Sequence, residues 1–86
     1  MRPRSFTELL IRLRESENWS QPEMAEQLTQ AGYPMTRQTI SHLETGRNAA
    51  NGRVSVAYRA VFNLQGLDLA IFLDAFDAQW PPEVAA

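Results

Sequence analysis

"TRQTISHLETGR", Thr36–Arg47, gathers hydroxyl, amide, guanidinium and imidazole groups in a short segment that ends at a glycine. Thr36 is a suitable N-cap, Ile40 and Leu43 recur at the spacing of one helix face, and Gly46 supplies a stop. The segment reads as a short helix with a narrow apolar side. With Ile40 and Leu43 turned inward, Arg37, Gln38, Ser41 and His42 are left outward. Taken alone, such a set describes an ordinary solvated face.

The stretch before it changes that reading. In "WSQPEMAEQL", residues 19–28, Ser20-Gln-Pro-Glu23 forms a capping box, with Pro22 in the first turn where its missing N–H does no harm. Met24, Ala25 and Leu28 make the apolar stripe, Gly32 offers a left-handed position after the helix, and Tyr33-Pro34 ends it. A helix, a turn and a second helix with outward polar residues near its start is the layout of a helix-turn-helix, predicted over residues 20–46. Each outward residue can bond a base edge: arginine suits guanine, glutamine suits adenine, and serine and histidine are more permissive.

Further helices flank this pair. Ser5-Phe-Thr-Glu8 repeats the capping box, and Phe6, Leu9, Leu10 and Leu13 carry a helix to about Glu17, with Arg12 and Arg14 on its other side. After the polar loop "RNAANGR", Val54, Ala57, Tyr58, Val61 and Leu64 predict a helix from Val54 to Gln65, closed by Gly66. In the tail, Leu69, Phe72, Leu73, Phe76 and Trp80 follow helical spacing, with Asp68 as a cap. Leu67, Leu69, Ile71 and Leu73 also alternate as a strand would, so both forms stay open, with the helix favoured by five apolar matches. Pro81-Pro82 ends the segment. The expected fold is all-α, with four to five short helices.

Eighty-six residues fit one small domain whose core is marginal unless oligomerisation adds to it. The absence of cysteine excludes disulfides and thiolate metal sites. No apolar run approaches the roughly 20 residues that span a bilayer, and Arg12 and Arg14 interrupt any signal-like region, so a cytoplasmic protein without a membrane partner is expected. The net charge is −2, but residues 1–53 hold seven arginines against six acids, and residues 54–86 hold Arg59 against four acids. One histidine, no cysteine and no Gly-rich phosphate loop leave no nucleophile–base pair and no metal set. No enzyme activity, metal or cofactor is expected.

"WSQPEMAEQL" followed by "TRQTISHLETGR" resembles the DNA-binding domain of the lambda-repressor/Cro-type helix-turn-helix family, also called the xenobiotic-response-element family. Gln21, Ala25, Thr36, Ile40, Ser41, Leu43, Glu44 and Gly46 carry the likeness, which runs from about residue 6 to 66. It implies a lambda-repressor-like domain over 1–66, followed by a dimerisation segment and tail over 67–86. It further implies base contacts from Arg37, Gln38, Ser41 and His42, and backbone contacts from Gln21, Thr36, Arg47 and Arg53. Glu44 takes a structural part. One departure is plain: Ala25 to Ile40 spans 15 residues, longer than the family's commonest spacing, which leaves the angle between the two helices open.

The function expected on this basis is sequence-specific binding of double-stranded DNA by a transcriptional regulator. A homodimeric repressor on a palindromic operator fits best, with Leu69, Phe72, Leu73, Phe76 and Trp80 at the dimer interface. Phe76 and Trp80 suit a core as well as an interface, and Arg2 and Arg4 suit a basic arm as well as an untethered tail. Two alternatives remain: an antitoxin, with a toxin partner and an inter-subunit strand at 67–73, and a protein-interaction module that no longer binds DNA.

Overall fold

The computed structural model describes residues 5–48 and 50–79. Trp80, Pro81-Pro82, Arg2 and Arg4, all named above, lie outside the described residues. Five helices follow one another: α1 (Phe6–Ser16), α2 (Gln21–Gln30), α3 (Arg37–Glu44), α4 (Gly52–Phe62) and α5 (Gly66–Ala78). The described residues contain no strand, and none of their helices is long and apolar enough to cross a membrane.

Local chemistry sets most of the helix ends. The Ser5 hydroxyl accepts the Glu8 amide at the start of α1, and Asn18, in a left-handed conformation, turns the chain after it. At α2 the capping box is complete: Ser20 Oγ accepts the Glu23 amide and a Glu23 carboxylate oxygen accepts the Ser20 amide. These bonds to Ser20, the backbone N–H first, hold the Glu23 carboxyl below its ordinary range. Thr36 and Asn51 cap α3 and α4 through the amides of Thr39 and Val54.

The long connection between α2 and α3 is packed. Gly32, at φ +96°, lets the chain reverse so that the Tyr33 amide returns to the Leu28 carbonyl at 2.9 Å. Tyr33 and Met35 then pack against the core, while Thr29 Oγ1 donates to the Ala25 carbonyl and accepts the Met35 amide. The residues added between Ala25 and Ile40 are thus absorbed by a ten-residue α2 and a folded-back turn.

All five helices contribute to one core, with Leu10, Met24, Leu28, Ile40, Leu43, Tyr58 and Phe72 among its buried members. Several expectations are corrected. The fourth helix starts at Gly52 and ends at Phe62, because Asn51 caps it and Asn63, at φ +49°, closes it; Gly66 opens α5 instead. Asp68 is not the cap of α5: that position is Gln65, and Asp68 sits in the first turn, where its charge suits the helix dipole. Residues 67–73 are helical, which removes the strand alternative.

Phe72, expected at a dimer interface, lies in the chain's own core at 1% exposure. Its ring meets that of Phe6 edge-on at 5.0 Å, and Phe76 meets the Phe6 ring at 5.5 Å. A second tie holds the far end of α5. The Gln79 side-chain amide accepts the Ala50 N–H and donates to the Ala50 carbonyl, both at 2.9 Å, which satisfies a buried backbone unit between α3 and α4. Leu67 and Leu73 remain exposed on the outer side of α5.

Because α5 is seated through Phe72, Phe72→Ala is expected to cost about 3–5 kcal/mol, the usual range for emptying a buried phenylalanine site. Urea unfolding followed by tryptophan fluorescence measures it; a loss below 1 kcal/mol would show that α5 does not belong to the cooperative core.

Candidate nucleic-acid interface

The two sides of α3 carry different work. Ile40, Leu43 and Glu44 are buried, whereas Arg37 and Gln38 are exposed and Ser41 and His42 are half-exposed. Thr36, Arg37, Gln38 and Ser41 line one shallow concavity on the outer face. Ser41, His42, Thr45, Gly46 and Arg47 line the next, so the two share Ser41. The structure therefore brings the four expected base-reading residues, with Thr36 and Arg47, onto one continuous surface. Arg53 is exposed in the first turn of α4 and does not line it.

The segment after α3 is fixed by backbone bonds. Gly46, at φ +75°, reverses the chain, and the Arg47 and Asn48 amides return to the His42 carbonyl at 3.0 and 3.4 Å. A side chain at Gly46 would need that left-handed conformation, and its Cβ would touch Thr7 of α1 at 3.6 Å. The same turn brings Arg47 Nη1 within 3.4 Å of His42 Nε2.

Beneath this surface a polar cluster ties α3 to α1 and α2. Arg14 Nε and Nη2 donate to the two carboxylate oxygens of Glu44 at 2.7 and 3.0 Å, a two-pronged pair. Arg14 Nη1 donates to the Trp19 carbonyl, and Gln21 Nε2 donates to Glu44 Oε1 at 3.1 Å. The Glu44 side chain is 4% exposed and that of Arg14 14%. The hydrogen bond to Glu44 raises the Arg14 guanidinium above its ordinary value despite burial.

Arg14 corrects the expectation that it faces away from the apolar side of α1. It is half-buried, and its guanidinium belongs to Glu44, 30 positions away, a pairing that no local periodicity reveals. Gln21, expected on a phosphate, here braces Glu44 with one of its two amide hydrogens. Thr45 is a surface member that the sequence reading missed; its hydroxyl donates to the Ser41 carbonyl, and no spacing rule singles it out.

A helix-turn-helix family model matches residues 10–69, from the middle of α1 to the start of α5. No curated protein and no solved structure matches the chain.

Glu44→Ala is expected to cost about 3–5 kcal/mol, because it leaves the Arg14 cation buried without its partner. Replacing both members by apolar residues of similar volume should recover most of that loss. Chemical denaturation of the two single variants and the double variant measures the coupling; independent, additive losses would contradict it.

Proposed function

The chain belongs to the lambda-repressor/Cro-type helix-turn-helix family, whose members are DNA-binding transcriptional regulators, and from that premise we propose that it is a sequence-specific repressor acting as a homodimer on a palindromic operator. The observation that carries this reading is the division of α3. Arg37, Gln38, Ser41 and His42 share an accessible face, while Ile40, Leu43 and Glu44 fix the opposite one. A helix presented in this way fits the major groove, where an arginine on guanine and a glutamine on adenine each give two-bond recognition.

In this reading Arg37 and Gln38 discriminate bases, and Ser41 and His42 add contacts next to them. Thr36, Gln21, Arg47 and Arg53 hold the sugar–phosphate backbone and so set the register. Gln21 keeps one amide hydrogen for a phosphate while the other stays on Glu44. The weak positive charge of residues 1–53 makes non-specific attraction modest, which favours paired binding over a single copy.

The pairing surface we assign is the outer side of α5, where Leu67 is 75% and Leu73 36% exposed. Phe72 is excluded, since its ring is spent on the core. The protein measures 36 × 26 × 22 Å. Two copies side by side therefore suit recognition helices one DNA turn apart, about 34 Å. Occupying a promoter in this way would exclude polymerase. The antitoxin alternative loses the strand offered for it, because residues 67–73 are helical.

Selection of bound sequences from random duplexes should yield a two-fold symmetric site. Arg37→Ala with Gln38→Ala should relax preference at the contacted bases and weaken specific binding by at least 10-fold, since each bidentate pair gives about 1–3 kcal/mol of discrimination. Thermal stability should stay unchanged, because both side chains are exposed. Recovery of no preferred site at low salt would refute the proposal.

The dimer is checked separately by light scattering at rising protein concentration, with twice the chain mass expected. Leu67→Glu with Leu73→Glu should return it to the monomer mass while keeping the helical content. A wild-type mass that stays at one chain throughout would count against pairing through α5.

A further inference from the structure

We propose that His42 is a positioning residue for Arg47, and that the proton on its imidazole decides whether that arginine is held against α3 or released toward a phosphate. The inference rests on the DNA-binding reading above and assigns a pH-dependent control to the same surface.

The backbone places the two residues side by side. Both amides that follow Gly46 return to the His42 carbonyl, so Arg47 is folded back over the residue whose ring it meets. The contact joins Arg47 Nη1 and His42 Nε2 at 3.4 Å. A guanidinium is a donor only and keeps its charge throughout the working pH range. The bond therefore exists only when Nε2 offers a lone pair, with the neutral ring's proton on Nδ1. A protonated ring turns an N–H toward a cation, and attraction becomes repulsion.

The groups around the ring bear this out. The concavity that holds His42 is lined by Ser41, Thr45, Gly46 and Arg47, of which Arg47 alone is charged. From α1, Thr7 lies beside Gly46, and it is uncharged. Glu44, the acid of α3, is turned inward and taken by Arg14 of α1 and Gln21 of α2. Among these described neighbours no carboxylate faces the imidazole to offset the approach of the two cations.

With neutral His42, Arg47 lies along the end of α3 and its contact with DNA is restricted. With protonated His42, Arg47 swings outward and reaches a phosphate. One more phosphate contact then forms, so affinity at low salt rises and its dependence on salt steepens.

His42 is the chain's one histidine, so its ring nitrogens can be read by NMR without ambiguity. In the free protein at high pH the neutral ring should carry its proton on Nδ1, and Arg47→Ala should move it toward Nε2. In salt titrations on a random-sequence duplex, the slope of log affinity against log salt should steepen by up to about 0.9 between pH 8 and pH 6, the increment for one added phosphate contact. His42→Gln supplies a carbonyl acceptor that does not titrate, and its slope should be the same at pH 8 and pH 6. A proton on Nε2 in the wild type at high pH would overturn the inference. So would a pH response in His42→Gln equal to that of the wild type. Binding with an unchanged slope removes this inference alone, whereas no duplex binding at either pH removes the DNA-binding reading with it.

Discussion

The pair between Arg14 and Glu44 is the constraint on which the arrangement of this protein depends. It joins the last turn of α1 to the last residue of α3, and Gln21 adds the first residue of α2 to the same carboxylate. A third arm of Arg14 holds the Trp19 carbonyl in the link between α1 and α2. Apolar side chains alone would pack these helices over a range of small rotations, since burial rewards area and not direction. A two-pronged arginine–carboxylate pair tolerates much less. It adds little net stability, because both charges leave water, yet it fixes the rotation of α3. That rotation decides which residues of α3 face outward. The surface chemistry is thus set from beneath by a group that takes no part in it.

The fifth helix answers two demands with one sequence. It is apolar on most sides, which in a helix of a small domain calls for more than one partner surface. Phe72 and Phe76 meet Phe6 on one side, and Gln79 closes on the Ala50 backbone at its end. This seats α5 on the monomer before any second chain is needed. Leu67 and Leu73 are left outside, so the exposed apolar surface is narrower than the apolar content of residues 67–80 suggests. Placing the aromatic rings inside and aliphatic side chains outside keeps the exposed patch small in an unpaired protein.

A net charge of −2 sits awkwardly with a nucleic-acid partner until it is divided by position. The acids with identified partners in the first half are committed: Glu44 to Arg14 and Gln21, Glu23 to Ser20, Glu8 to Arg12, and Glu26 to Gln30. Asp68, Asp74 and Asp77 all lie on α5. Arg37 and Arg47 stand on the outer face of α3 without an acid lining either concavity. The two concavities thus carry arginines and no lining acid while the whole molecule is slightly negative, and over distances beyond about 10 Å salt screens the remainder.

The sequence by itself determined the helices, the turn between α2 and α3, and the inward role of Ile40 and Leu43. These follow from caps, stops and apolar spacing, all of which act within a few residues. Thr36, Ser20 and Ser5 do what their positions indicate, and Gly46 stops α3. It could not determine that Arg14 turns inward, that Gln21 braces a carboxylate, that Asn63 and not Gly66 ends α4, or that Phe72 is core. For residues 67–73 it favoured the helix without removing the strand, because the apolar set satisfied both periods. Only the tertiary structure decided these. Arg14 and Glu44 are 30 positions apart, Ala50 and Gln79 are 29, and Phe6 and Phe72 lie near opposite ends of the described chain. Such partners act on each other only after the helices have docked, and no pattern confined to one helix records them.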